Sequence, residues 1–309
     1  MPARPRVIID CDPGHDDAMA LLIAGVHTEL LGITTVAGNA PLDATTRNAL
    51  QCVELMQLDV PVHAGAARPL LVPARHAAEV HGPSGMDGHS LPAPAREVAG
   101  RDAVRFIVDT LRREDDVWLV PMGPLTNIAL ALREAPDIAT RMAGISLMGG
   151  SASHGNVTAA AEFNLWADPH AAAIVFGCAA PLHMCGLDVT QQFLVDEATV
   201  TALRGIGNAA GSFAADLLAF YVRSAQARTG RAGGPLHDPC AVLALTHPQL
   251  LRGTRLPVAV ETDGTLTRGM TVVDRRPWTP AEKANCMVYE HIDHDAAMQV
   301  LLDAVGSYR

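Results

Sequence analysis

Lysine is all but missing from this chain. Lys283 is the only one, and every other basic residue is an arginine. The 23 basic residues face 33 acidic ones, for a formal net charge of −10. That balance argues against a nucleic-acid surface, which calls for basic stripes. Aromatic side chains are sparse too, at 4%, so the core must be filled by the aliphatic residues that bring the hydrophobic share to 49%. No apolar stretch is long enough to cross a bilayer. Cys11, Cys52, Cys178, Cys185, Cys240 and Cys286 are scattered through apolar segments without a C-x-x-C pair. This argues against a disulfide framework or a zinc site, and buried reduced thiols are expected. The opening MPARPRVII runs straight into a strand-like segment without the layout of a secretion signal, so a cytoplasmic protein is expected.

What is present is an alternation. VIID (7–10), LLGITTV (30–36), VWLVP (117–121), GISLMGG (144–150) and PLHMCG (181–186) are short, branched, apolar runs ending near Gly, Pro or Asp, and they read as buried strands. Between them, 17–25, 42–58, 101–112 and 125–133 carry helical spacing. Strand–helix alternation predicts an α/β fold with a mainly parallel sheet covered on both faces. The stretch 69–94 is rich in Pro, Gly, His and Ala and is read as a long functional or disordered loop. With no internal repeat and no linker, residues 1–309 are read as one domain.

The stretch VIIDCDPGHDDAMALLIAG (7–25) packs Asp10, Asp12, Asp16 and Asp17 into eight positions. Like charges this close repel unless a cation sits among them or some stay protonated. In an open α/β sheet, ligands bind beyond the carboxyl ends of the strands, and the cluster follows a strand directly. Asp16 or Asp17 could simply cap the next helix. That leaves Asp10 and Asp12, which alternate onto one side of the strand end, unexplained. Oxygen-only clusters suit calcium or magnesium. The spacing is not an EF-hand, so further ligands must come from other strand ends, with the peptide at Met122 and Asp238 as candidates.

DCDPGHDD resembles the signature of the inosine–uridine-preferring nucleoside hydrolases. ITTVAGN (33–39), PMGPLTNIA (121–129), AAEFNLWADP (160–169) and PLHDP (235–239) resemble that family's further blocks, in order. The resemblance implies a mixed, mainly parallel central sheet in a Rossmann-like domain. It also implies calcium-dependent hydrolysis of the N-glycosidic bond of ribonucleosides, to free base and ribose. Asp12, Asp17, Asp238 and the Met122 carbonyl would be calcium ligands, although Met stands where many members have Thr. Asp16 would be the general base for the metal-bound water, and Asp10 a hydrogen-bond partner behind the ligands. Asn39, Asn156, Glu162 and Asn164 would grip the ribose, the last two sharing one side of an extended segment. Amide and carboxylate groups suit paired hydroxyls.

Thirteen histidines are present. His237, next to Asp238, is placed to protonate the departing base. His81 is a candidate for contact with base or sugar, whereas His76 and His89 are read as solvated loop residues. The base pocket departs from the family pattern. Where pyrimidine-preferring relatives carry Tyr and Gln, this chain has Thr229 and Ala225, with Tyr221 and Gln226 in other helical phases. Of Trp118, Trp166 and Trp278, the first two read as strand and sheet-edge packing, and none is cast as a stacking residue. A homo-oligomer, dimer or tetramer, is expected, with a small-molecule nucleoside as the partner and neither nucleic acid nor membrane. Three other readings compete: a calcium- and nucleoside-binding protein without turnover, a D-x-D phosphatase, and a phosphorolytic enzyme. The phosphatase wants a downstream lysine, and Lys283 is poorly placed for that. The phosphorylase wants an anion cradle, which the sequence does not display.

Overall fold

The computed structural model describes residues 4–230 and 232–309. Among them, one sheet contains β1 (Arg6–Cys11), β2 (Glu29–Thr35), β3 (Val62–Ala64), β4 (Val117–Pro121), β5 (Gly144–Met148), β6 (Leu182–Cys185), β7 (Leu251–Leu256) and β8 (Cys286–Ile292). Their order across the sheet is β3-β2-β1-β4-β5-β6-β8-β7. Every neighbouring pair is parallel except β8 with β7. The α/β, mainly parallel architecture is therefore the one expected.

β1 shows why the pattern was legible. Its side chains alternate, so Val7, Ile9 and Cys11 enter the core on one face while Ile8 enters the core on the other. A strand buried on both faces has no use for polar positions, and it reads as an unbroken branched run. The helix His15–His27 is apolar for the same reason: Ala18 through Ala24 are all buried. It packs against the helices Pro239–Thr246 and His294–Gly306. The helices Ala103–Arg113, Thr126–Glu134 and Pro169–Phe176 cover the opposite face.

Strand order reverses at β1. The chain runs outward through β2 and β3, then returns to the other flank of β1 with β4. The crevice beyond the carboxyl ends of β1 and β4 is the switch point where such sheets bind ligands. Asp12 follows β1 and Met122 follows β4, and Met122 N–H donates to the Asp10 carbonyl at 2.8 Å, drawing the two ends together.

The stretch 69–94 is mostly irregular, with one four-residue helix, Ala78–His81. It is not a free loop. Gln51 donates to the carbonyls of Leu91 and Pro92, and Asn48 to that of Ser84. His89 is a correction to the expected solvated residue: its ring pairs with Asp216 at 2.8 Å and meets Phe213 edge-on. His76 is exposed as expected, although its Nδ1 lies 3.0 Å from the Gly38 carbonyl. Trp118 does pack in its strand, against His183. Trp166 is a second correction, since it belongs to the helix Phe163–Ala167 and not to a sheet edge.

Candidate active site

The tight passage from β1 into the helix His15–His27 brings carboxylates together. Asp17 accepts the backbone N–H of Gly14 at 2.9 Å and of Asp12 at 3.2 Å, so it closes the entry of its own helix. The simple capping explanation thus holds for Asp17, but it does not reach the others. Asp12 directs Oδ2 at the Asn39 N–H, 2.6 Å away, and its Oδ1 is buried with no hydrogen-bond partner among the described residues. Gly38 and Gly123 flank this carboxylate so closely that a Cβ on either would collide with it. Asp238 arrives from the start of the helix Pro239–Thr246. Asp16, Asp17 and Asp238 each bring one oxygen within 4.8 Å of the others.

All four carboxylates are buried. Burial, reinforced by mutual repulsion, pushes Asp12 and Asp238 well above the usual carboxylate range, and Asp16 up to about 7. Four buried acidic groups, one with an orphaned oxygen, form a donor set that a hard divalent cation would satisfy. Asp10 stands apart from this set. Its Oδ1 accepts the Thr34 hydroxyl at 2.6 Å and Asn127 Nδ2 at 2.7 Å, and burial raises it to about 7.

Above the carboxylates opens a cavity of about 530 Å³. Asp16, Asp238, Asn39, Asn164, Glu162 and His237 line it, as do Asn156, His81 and Met122. Asp12 and Asp17 are absent from its wall and lie beneath it. Asn39 Nδ2 reaches the Asp12 carbonyl and Asp17 Oδ2, tying the cavity floor to the acids below. Glu162 and Asn164 do not share an extended segment. Glu162 is extended, but the chain turns helical at Phe163, and Glu162 caps that turn by accepting the N–H groups of Asn164 and Leu165. Gly150 N–H also donates to it, yet burial dominates and raises Glu162 to about 7. Asn164 Nδ2 donates to the Met122 carbonyl at 2.8 Å. Asn156 accepts from Phe163 N–H. Its loop is moored by Asp188, which takes the hydroxyls of Ser151 and Ser153 and the N–H of Ala152.

His237 sits with Nδ1 2.7 Å from the Thr190 hydroxyl, while its backbone N–H donates to Asp16 Oδ2 at 3.3 Å. Burial lowers its ring to about 4, so the imidazole is neutral. Burial likewise takes His81 well below its ordinary value.

The helix Ala209–Thr229 forms one wall. Tyr221, Ala225 and Thr229, four residues apart, all face the cavity, whereas Gln226 is exposed and is not part of the lining. The Tyr221 hydroxyl is spent on the Pro235 carbonyl at 2.8 Å. Arg228, Phe163 and Gln191 line the cavity without having been singled out. Arg228 had no spacing to mark it among the other arginines. His15, which touches His81, also went unmarked although it lies inside the acidic motif.

The sequence model of the family "Inosine-uridine preferring nucleoside hydrolase" matches residues 7–299. A pyrimidine-specific ribonucleoside hydrolase of Shewanella sp. (strain ANA-3) is 43% identical, over 99% of this chain and 97% of that protein. One of Salmonella typhimurium is 41% identical, with 98% of both chains covered. Among solved structures, the purine-preferring ribonucleoside hydrolase from Gardnerella vaginalis superposes with a TM-score of 0.92 at 33% identity, covering 97% of this chain and 98% of that one. A plant nucleoside hydrolase gives 0.91 at 29% identity, covering 98% and 99%. By sequence and by structure, over nearly its whole length, the chain belongs to the inosine–uridine-preferring nucleoside hydrolases.

Proposed function

We propose that this protein hydrolyses ribonucleosides to free base and ribose with a calcium ion held by Asp12, Asp17, Asp238 and the Met122 carbonyl. The observation that carries this reading is the orphaned Asp12 carboxylate oxygen beside three converging buried acids, directly below a cavity lined with amides and carboxylates. Calcium fits better than magnesium, because ligands drawn from three separate stretches of chain give an irregular oxygen cage and magnesium demands a near-ideal octahedron. Bound there, the ion supplies charge that lowers the pKa of a water and anchors the ribose hydroxyls.

The chain's own residues divide the remaining work. Asp16 presents its carboxylate to the cavity while the His237 N–H steadies Oδ2, and it takes the proton from the attacking water. Asn39, Asn156, Glu162 and Asn164 bind the ribose hydroxyls. Contacts that tighten as positive charge develops on the sugar lower the barrier and not only KM. His237 is held at Nδ1 by the Thr190 hydroxyl, 2.7 Å away, which leaves Nε2 to serve the departing base. A proton taken up from solvent makes the ring an imidazolium, which hands a proton to the departing base as negative charge grows there and returns to the neutral form.

Pyrimidine ribonucleosides are proposed as the preferred substrates, on the strength of the pyrimidine-specific relatives at 41–43% identity. Lys283 lies in an exposed turn outside the cavity lining, which leaves the phosphatase reading without its lysine. Release of base and ribose from a panel of purine and pyrimidine nucleosides tests the proposal. Tight nucleoside binding with no release would instead mark a binding protein.

A further inference from the structure

His15 and His81 lie 66 residues apart, yet their Nδ1 atoms meet at 2.9 Å. One of the two must carry the proton between them. His15 Nε2 lies 2.7 Å from the Asp87 carbonyl, which can only accept, so Nε2 of His15 is protonated. A neutral His15 then has a bare Nδ1, and the proton between the rings belongs to His81 Nδ1. The backbone N–H of His15 also points at His81 Nδ1, but at the longer distance of 3.4 Å. An imidazolium at His15 is the other arrangement. It would enclose a charge in a fully buried side chain with no carboxylate bonded to it. The Asp87 carboxylate is occupied by Ser84. The space is also closed on the far side, since a Cβ on Gly14 would come within 2.6 Å of His81 Nδ1.

We propose that His15 is a positioning residue that holds His81 in its Nδ1–H tautomer, so that a bare Nε2 serves as acceptor for a ribose hydroxyl of the substrate. His81 lines the cavity, and its Nε2 has no protein partner among the described residues. The assignment of the hydroxyl rests on the nucleoside-hydrolase reading above. The tautomer does not, because it follows from contacts within the protein alone. Without His15, the imidazole of His81 is free to turn donor, and a hydroxyl contact of fixed polarity is lost.

Long-range proton–nitrogen correlation on the full-length protein, labelled with ¹⁵N-histidine, reads the tautomer directly. The His81 signals are identified by their loss in His81→Ala. The expected spectrum shows His81 protonated at Nδ1 and bare at Nε2. His15→Phe keeps the ring stack but removes both nitrogens, and His81 should move to Nε2–H. His15→Asn restores an acceptor oxygen near the Nδ1 position, so the native tautomer should return. In kinetics with ribonucleosides, loss of one hydrogen bond predicts that His15→Phe raises KM roughly tenfold, with a smaller change in kcat. His15→Asn should recover most of that loss, and His15→Phe should add little in a His81→Ala background. A wild-type His81 protonated at Nε2, or an unchanged tautomer in His15→Phe, overturns the proposal. So does full additivity of the two substitutions. Should the phenylalanine variant fail to fold, the wild-type spectrum and the asparagine variant still decide. Correct tautomers in a protein without turnover would count against the hydrolase reading alone.

Discussion

At the scale of single residues, the two proton transfers can be separated. In the proposed mechanism Asp16 serves every substrate, so Asp16→Asn should reduce kcat by about 10²–10⁴-fold with purine and pyrimidine nucleosides alike. Steady-state rates near wild type would move the base elsewhere. His237 is proposed to serve the leaving group, so its importance should depend on that group. His237→Ala should depress uridine or inosine hydrolysis far more than hydrolysis of p-nitrophenyl riboside, whose phenolate leaves without a proton. An equal fall for both would assign His237 to geometry. The glycines around Asp12 provide a steric counterpart. A methyl group at Gly38 would overlap the Asp12 carboxylate, so Gly38→Ala should cost about 1–3 kcal/mol and weaken calcium binding in a titration. Gly205, with nothing within 4 Å of its would-be Cβ, is the matched control, and Gly205→Ala should stay within about 0.5 kcal/mol of wild type.

At the scale of elements, the short helix Phe163–Ala167 joins stability to the site through its cap, Glu162. Burial lifts this carboxyl from 4.5 to about 7 in the folded protein. A raised acid binds its proton more tightly when folded, so its contribution favours the fold at low pH and is lost as pH climbs from about 4.5 through 7. Melting of the calcium-free protein should therefore fall between pH 5.5 and pH 8, and Glu162→Gln should flatten part of that fall. An identical pH slope in the variant would show that Glu162 does not titrate this way. The same element shows why sequence reading stumbled: the alternation of Glu162 and Asn164 fits a strand, and only the cap geometry makes it a helix start. β7, with the sequence LRGTRL, went unread because it is a largely exposed edge strand with no apolar run. The five strands that were read are central and buried on both faces, which is the condition that writes a strand plainly into composition.

At the scale of the whole molecule, the carboxylate cluster ties the sheet's switch point to the helix Pro239–Thr246, which is distant in sequence. Exhaustive chelation should abolish turnover and lower the melting temperature, with calcium restoring both better than magnesium. Full activity in protein shown by elemental analysis to be metal-free would remove the ion from the chemistry. Much of this site was legible because DCDPGHDD supplies Asp12, Asp16 and Asp17 from one short motif, and PLHDP supplies Asp238 beside a histidine. The contact between His15 and His81 was not legible. It depends on how the stretch 69–94 is folded back, and no local spacing encodes that return.

The depth of Asp12 and Asp17 bears on traffic. Neither acid is part of the cavity wall, whereas Asp16 and Asp238 are, so an ion seated among them has the cavity as its way out. A nucleoside held by Asn39, Asn164 and Glu162 as proposed would act as a stopper, and the residence time of the ion should lengthen when the cavity is filled. Rapid mixing with a fluorescent chelator, with and without saturating ribose, measures that exchange. Slower release in the presence of ribose is the expected result, and equal release rates would reveal a second exit through the protein.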